Sequence, residues 1–382
     1  MITLETADNA LKSFYLDAIT DSLDKKVNPF LAQIEKTAID VVGKDVKKTI
    51  RCGMEGGLSA GTETGALPTS SSAKKVVFTS TLKNLYGTIE ISDKVLRASA
   101  NNEGAFVNIL NEEMQSLVKS ANFNFGRMLY GDGTGLLTYV MNGEGKRFQV
   151  NRLESLVEGM VVDVIDDRDG KYLGTATIER VDKDTDYIYL DKEIEVVGEE
   201  ALYLQGALGN EITGLAAIFS ENNIYGVSRG NNPALKPYTL DVDGDLTEEI
   251  LEKAMDTIEE KSGSKVNVML CSFDVRRVLT KLYKDSALLT VETLEGGYKV
   301  PCINGIPVIA DRFCPNQTLY LLNTSDFKIH QLCDWKWLEG EDGKILKQVP
   351  GKPVYTATLV KYAELMCERL NGQGVLKGIR VI

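Results

Sequence analysis

Asp241, Asp243 and Asp245 alternate along one short stretch, and Glu252 follows eleven residues after the first of them. Oxygen ligands at positions one, three, five and twelve are what a calcium loop requires. Leu246, however, stands where such a loop needs glycine for its sharp turn. The preceding NNPALKPYTL carries two prolines and cannot supply an entering helix. The better reading is a solvated helix start, with Asp245 and Glu248 spaced as a capping box. A second candidate, the GDGTG turn at residues 131–135, has the glycines of a phosphate cradle. No Lys-Ser or Lys-Thr follows it, and the glycines come after a helix, so no helix N-terminus faces an anion there. Trp335 and Trp337 flank Lys336 and could stack on a base or sugar. Two residues apart on a strand they share a face, so burial against a neighbour accounts for them better. His330 is the only histidine, which excludes a histidine-based triad or a multi-histidine metal centre. The six cysteines (Cys52, Cys271, Cys302, Cys314, Cys333 and Cys367) include no Cys-x-x-Cys pair, as expected of reduced thiols. No nucleophile has a recognisable base beside it. We therefore assign no catalytic, cofactor-binding or metal-binding residue, expect no cofactor, and read the chain as not an enzyme.

The elements that carry these residues centre on a long amphipathic helix. Phe106, Leu110, Met114, Leu117, Ala121, Phe125 and Met128 recur at helical spacing and form one apolar stripe. Asn101 or Asn102 caps the start, and Gly131 with Gly133 ends it. A helix from Glu103 to Tyr130 is roughly 40 Å long, the length of a spine. Ahead of it, residues 1–50 read as helical, with Leu11, Phe14, Tyr15, Ala18 and Ile19 on one face. The pattern breaks at Asn28-Pro29 and resumes through Phe30, Leu31 and Ile34. Residues 53–72 are rich in Gly, Ser and Thr and cannot build a packed core. Two strand-like runs follow, KKVVFTSTL and YGTIEIS, which read as a ribbon with a flexible tip.

Charge marks out a further module. Across the 382 residues the net charge is −12, which argues against tight wrapping of nucleic acid. Residues 141–211 hold 17 Asp+Glu against 8 Lys+Arg, so this one segment carries most of the excess. Strand candidates at RFQV, MVVDVI, YLGTATIERV, YIYLD and ALYLQG alternate there with acidic turns, which predicts a small β-barrel or sandwich. From Leu246 the pattern is mixed α/β. A helix carries Ile250, Leu251, Ala254 and Ile258, a buried strand spans Lys265–Leu270, and a second helix spans Asp274–Tyr283. INGIPVIAD and TLYLLN read as further strands, and VYTATLVKYAELMCERL as a long strand covered on both faces. No apolar run reaches the 18 or so residues of a membrane span, and no secretory signal is evident at the start.

The order of these pieces carries a resemblance. An extended strand, then ISDKVLRAS, then a long helix closing on LYGDGTG resembles the major capsid proteins of tailed bacteriophages, the Hong Kong 97-type family. GLAAIF from Gly214 looks like the family's continuation after the glycine turn, displaced by about 75 residues, and Gly305-Ile306-Pro307-Val308 is similar to its Gly-x-Pro-Val strand. The resemblance implies an α+β fold. Its parts are an N-terminal arm at 1–50, an extended loop at 51–92, and the spine helix with part of the peripheral domain at 93–135. An inserted acidic β-domain at 136–213 and the remaining peripheral and axial domains at 214–382 complete it. It implies self-assembly into hexamers and pentamers of an icosahedral head, made in the bacterial host cytoplasm and found in the virion. Implied partners are a scaffolding protein, a portal, a decoration protein and weakly contacted packaged DNA, with no membrane. The chain lacks the long helical extension that some relatives carry ahead of the arm. We therefore expect a separate scaffolding protein, with removal of a propeptide as the alternative. Lys74, Lys75 and Lys83 occupy the loop from which some relatives cross-link to an asparagine; no partner asparagine or acid can be placed, so that activity is not carried over. The alternatives are an encapsulin-like compartment shell, and a multidomain intracellular enzyme working with carboxylates alone. Calcium titration calorimetry should give no heat beyond dilution, and a saturable heat would restore the Asp241–Glu252 loop reading.

Overall fold

The computed structural model describes residues 28–53, 55–94, 103–196, 199–221, 223–284, 289–293, 299–340 and 343–381. In chain order the arm and ribbon contribute β1 (Glu35–Thr37), β2 (Val41–Val42), β3 (Asp45–Cys52), β4 (Lys74–Thr81) and β5 (Lys83–Ser92). The long helix α1 (Glu103–Met128) follows. Then come β6 (Leu136–Glu144), β7 (Arg147–Val150), β8 (Val161–Asp166), β9 (Tyr172–Asp182), β10 (Tyr187–Leu190) and β11 (Glu200–Leu204). The next section holds α2 (Leu215–Ile218), β12 (Tyr238–Gly244), α3 (Glu248–Ser262), β13 (Val268–Cys271), α4 (Phe273–Leu282), β14 (Leu289–Thr293), β15 (Lys299–Ile303) and β16 (Ile306–Ala310). It ends with β17 (Leu319–Leu322), β18 (Phe327–Trp337), β19 (Lys347–Gln348), β20 (Val354–Cys367) and β21 (Gly374–Ile379).

These strands form four sheets. One runs β1-β18-β20-β19, with β5 also paired to β20. A second, of seven strands, runs β12-β21-β17-β13-β16-β15-β14, and a third is β2-β3-β4. The fourth closes into a barrel in the order β10-β7-β6-β11-β8-β9. Phe148, Val162, Val164, Ile178, Ile188, Leu190 and Leu202 fill its interior. Residues at the alternate positions point away from that interior, and Ile165, Ala201 and Tyr203 form a second, smaller buried cluster there. Strand β6 had no counterpart among the strands read from sequence: it follows directly on the glycine turn, and its pairing with β7 shifts register between Val140 and Asn142.

The helix α1 buries Met114, Val118, Phe125 and Met128, with Leu117 and Ala121 partly covered. The side chains of Phe106 and Leu110 lie outside the described residues, as do residues 1–27 with their expected helical face. Helix α1 lies across β5 at Gly87, where an added Cβ would meet Leu117 Cδ1 at 2.9 Å. The absent side chain is what lets helix and strand close together. Helices α3 and α4 pack Leu251, Ala254, Ile258, Val275 and Leu279 into a separate core with the seven-stranded sheet.

Three sequence expectations change. Residues 28–52 contain a single 3-10 turn at Leu31–Gln33 and then strands, not a resumed helix. Phe30 is nonetheless buried, edge-on to Phe327 at 5.8 Å. In β3, Val46 and Ile50 sit four apart and so mimic a helix face, but the run is rich in β-branched residues and pairs with β4 along its whole length. The ribbon is therefore β3 with β4. Strand β5 leaves it at buried Leu82 and pairs with β20 over ten residues, because Leu85 and Ile89 are needed in the main core. Finally, Thr247 caps α3, accepting from Ile250 N at 3.2 Å, while Asp245 lies 3.5 Å from Arg380. Asp241 is a strand residue opposite Lys377, so the calcium-like spacing lies along β12 and does not coil into a loop.

Phe125 is the central contact of α1, packing edge-on to Trp335 at 6.5 Å. Replacing Phe125 by Ala should lower stability by about 3–5 kcal/mol in urea unfolding. Leu58→Ala, at an exposed loop position, should change it by less than about 0.5 kcal/mol.

Candidate assembly interface

The ribbon has a fixed root and an uncovered tip. At the root, Phe78 is buried with its ring 5.4 Å from that of Tyr225. Thr79 N donates to Tyr225 O at 2.9 Å. Tyr225 Oη in turn donates to Leu365 O and accepts from Cys367 N, each at 3.1 Å, tying the ribbon to β20. Lys48 reaches Asp40 at 2.7 Å and Glu368 at 3.5 Å, and Lys328 reaches Glu368 at 3.6 Å. The hydrogen bond from Lys48 holds the Asp40 carboxyl below its ordinary range, and the same bond raises the lysine. His330 is buried under this root and its Nδ1 donates to Ile39 O at 3.0 Å; burial lowers its pKa. Among the described residues from Gly53 to Ser72 the chain is almost wholly exposed, with Leu58 86% and Leu67 92% accessible. These two leucines pack into none of the hydrophobic cores of the described residues.

The loop lysines do not converge on a reactive group. Lys74 donates to Asn232 Oδ1 at 2.7 Å on the exposed surface, and Lys75 pairs along the ribbon with Arg51. Lys83 belongs to β5 and donates to Gly209 O at 2.9 Å.

The GDGTG turn is a structural seam. Asp132 Oδ1 accepts from Thr134 N at 2.9 Å, and Gly133 and Gly135 take positive φ of 87° and 85°. A Cβ on Gly135 would sit 2.5 Å from Ala207 O. On Gly214 it would collide with the carbonyl oxygens of Met128, Gly131 and Leu129. Leu215 N donates to Leu129 O at 2.8 Å, so the return from the barrel passes directly over the end of α1. Beside it, Arg127 and Glu211 form a two-pronged ion pair, one arm at 3.0 Å, with both side chains buried. The geometry joins helix to barrel and leaves no helix N-terminus for an anion.

Trp335 and Trp337 are both buried and Lys336 is exposed, so neither ring is offered to a base or sugar. What covers Trp335 is the chain's own α1, not a neighbour. Sequence reasoning missed the group beside it. Lys361 is 1% exposed, with its Nζ 4.9 Å from the Phe125 ring centre and ion-paired to Asp334. Lys36 of β1 reaches the other oxygen of Asp334 at 2.9 Å. Burial alone would raise the Asp334 carboxyl, but the two lysines outweigh it and hold it well below the carboxylate range. The one clue was a lysine in the middle of the apolar run TLVKYAEL. All six cysteines are free thiols.

Comparison with known proteins bears on this arrangement. Residues 205–343 match the family model described as SU10 major capsid protein. Among solved structures, the cyanophage A-1(L) capsid asymmetric unit superposes with TM-score 0.60 at 13% identity, over 92% of each chain. The fold is the Hong Kong 97-type capsid fold. The resemblance read from the ISDKVLRAS and LYGDGTG segments is thus borne out. Other solved structures are less similar. The satellite phage P4 procapsid has TM-score 0.45 and 12% identity, over 96% of this chain and 99% of that one. The holo-SrpI encapsulin complex from Synechococcus elongatus PCC 7942 has 0.47 and 10%, over 93% and 89%. No curated protein matches the sequence. Among the described residues no helix is long and apolar enough to cross a membrane.

Removing one partner of the buried pair isolates a charge. Arg127→Met should cost about 3–5 kcal/mol in denaturant unfolding, and adding Glu211→Leu should recover most of it.

Proposed function

We propose that the chain is the major capsid protein of a tailed bacteriophage, a structural subunit that assembles into hexamers and pentamers of an icosahedral head around viral DNA. The observation that carries this reading is the contrast along one ribbon: a root locked into the core, and a tip whose two leucines are exposed among the described residues. Such a tip is completed by a second copy. The match of residues 205–343 to a capsid family model supports the same reading.

Its mechanism is geometric. The helix α1 and strand β20 make a stiff plate, and the ribbon and arm order across neighbouring plates. Many weak contacts engaged together then hold a shell that no single contact would hold. Its role is structural, not enzymatic. The parts at 1–50, 51–92, 93–135, 136–213 and 214–382 act as arm, extended loop, spine, inserted acidic barrel and shell body, with β3 joining the extended loop and β5 leaving it for the shell body. The negative charge of the barrel suits the outer face of the head, away from packaged phosphates. A scaffolding protein, a portal and a decoration protein are the partners of such a subunit.

Electron microscopy and sedimentation test this. The intact chain, co-expressed with its scaffold where one is needed, should form closed shells. A variant with residues 54–72 replaced by a short turn should keep its circular dichroism but stop at small oligomers. Shells formed equally well by that variant would refute the reading, and particles filled with a protein cargo in place of nuclease-protected DNA would point to a compartment instead.

A further inference from the structure

The barrel returns to the body of the protein through residues 205–215, and this return is fastened at three points. Lys83 of β5 holds Gly209 O, Arg127 of α1 holds Glu211, and Glu364 of β20 accepts from Thr213 N at 2.7 Å. The third is a carboxyl enclosed by the interior. Glu364 is completely buried, its Oε1 accepts from Thr213 N and Leu365 N, and its Oε2 has no hydrogen-bond partner among the described residues. A bare carboxylate oxygen in a closed interior is costly, whereas a carboxylic acid there loses far less.

We propose that Glu364 is a proton-operated latch on the root of the inserted barrel: protonated, it lets residues 205–215 seat against α1, and ionised, it loosens that seat. The groups packed around it set the balance. Lys83 from β5 favours the charged form, and Tyr225, buried and neutral, faces it from the turn after α2. His330 stands opposite it in register on β18. Arg127 from α1 is ion-paired with Glu211. Burial wins over the Thr213 N–H and Lys83, and pushes the carboxyl from an ordinary 4.5 up to about 7. The sign follows from linkage. The seated root binds the proton more tightly than the open one. Its stabilisation is complete below the ordinary carboxylate range and is lost as pH rises to about 7, beyond which nothing further changes. The inference does not depend on the shell reading, because every group involved lies in one copy of the chain.

Hydrogen exchange with mass spectrometry on the purified full-length protein, corrected for intrinsic rates, tests it. Opening of residues 205–215 should increase on the order of a hundredfold between about pH 5 and about pH 8. The barrel strands β8 and β9 should show no such change. Glu364→Gln keeps the acceptor for Thr213 N and cannot ionise, so its exchange should be flat across the same range. A wild-type profile that is flat, or a Glu364→Gln profile with the wild-type slope, overturns the proposal. Should Glu364→Gln fail to fold, Lys83→Met serves instead. Loss of the cation should carry the upper end of the transition to higher pH, and an unmoved transition overturns the proposal.

Discussion

Strand β20 is covered on both faces, and a covered strand must pair every backbone donor and acceptor with protein. It pairs antiparallel with β5 over Val354–Ala363, with β18 over Leu359–Cys367 and with β19 near its start. That requirement explains much of the rest. It draws β5 out of the ribbon and into the body. It brings the ribbon's root to Leu365 and Cys367 through Tyr225. It also places the charged residues of β20 in the interior, where each needs a partner: Lys361 finds Asp334, and Glu364 finds the backbone of Thr213. Helix α1 closes one side of this sheet, with Gly87 admitting Leu117 and Trp335 meeting Phe125.

The same plate divides the chain into parts that are finished within one copy and parts that are not. The barrel has its own interior, and the seven-stranded sheet with α3 and α4 has another. The ribbon tip has neither. Its Gly/Ser/Thr content denies it a core, and its two leucines face solvent. A chain built this way is packed at the centre and exposed at one edge.

How much of this was legible in the sequence depends on the range of the interaction. The long helix was readable because Met114, Leu117, Ala121, Phe125 and Met128 keep a 3.6-residue period, and the barrel because acidic turns such as Asp166–Gly170 punctuate its strands. Strand β3 was not. Val46 and Ile50 fit a helix face as well as a strand, and only pairing with β4 decides between them. The partner of β5 was hidden for the same reason, since β20 lies more than 250 residues away. The cap of α3 fell two residues from its expected place: Thr247, not Asp245, accepts from the helix's first turn. At the assembly interface, the flexible tip was visible in composition. The Tyr225 bridge, the Arg127–Glu211 pair and the Glu364 contact join residues distant in sequence, and no local pattern announces them.

The account rests on the ribbon tip being completed by another copy of the chain. The direct measurement is the hydrogen-exchange protection of residues 55–72 in dissociated subunits and in assembled particles. The account predicts fast, unprotected exchange in the subunit and strong protection in the particle, with the ribbon root at Phe78 protected in both. Equal exchange of the tip in the two states would contradict it.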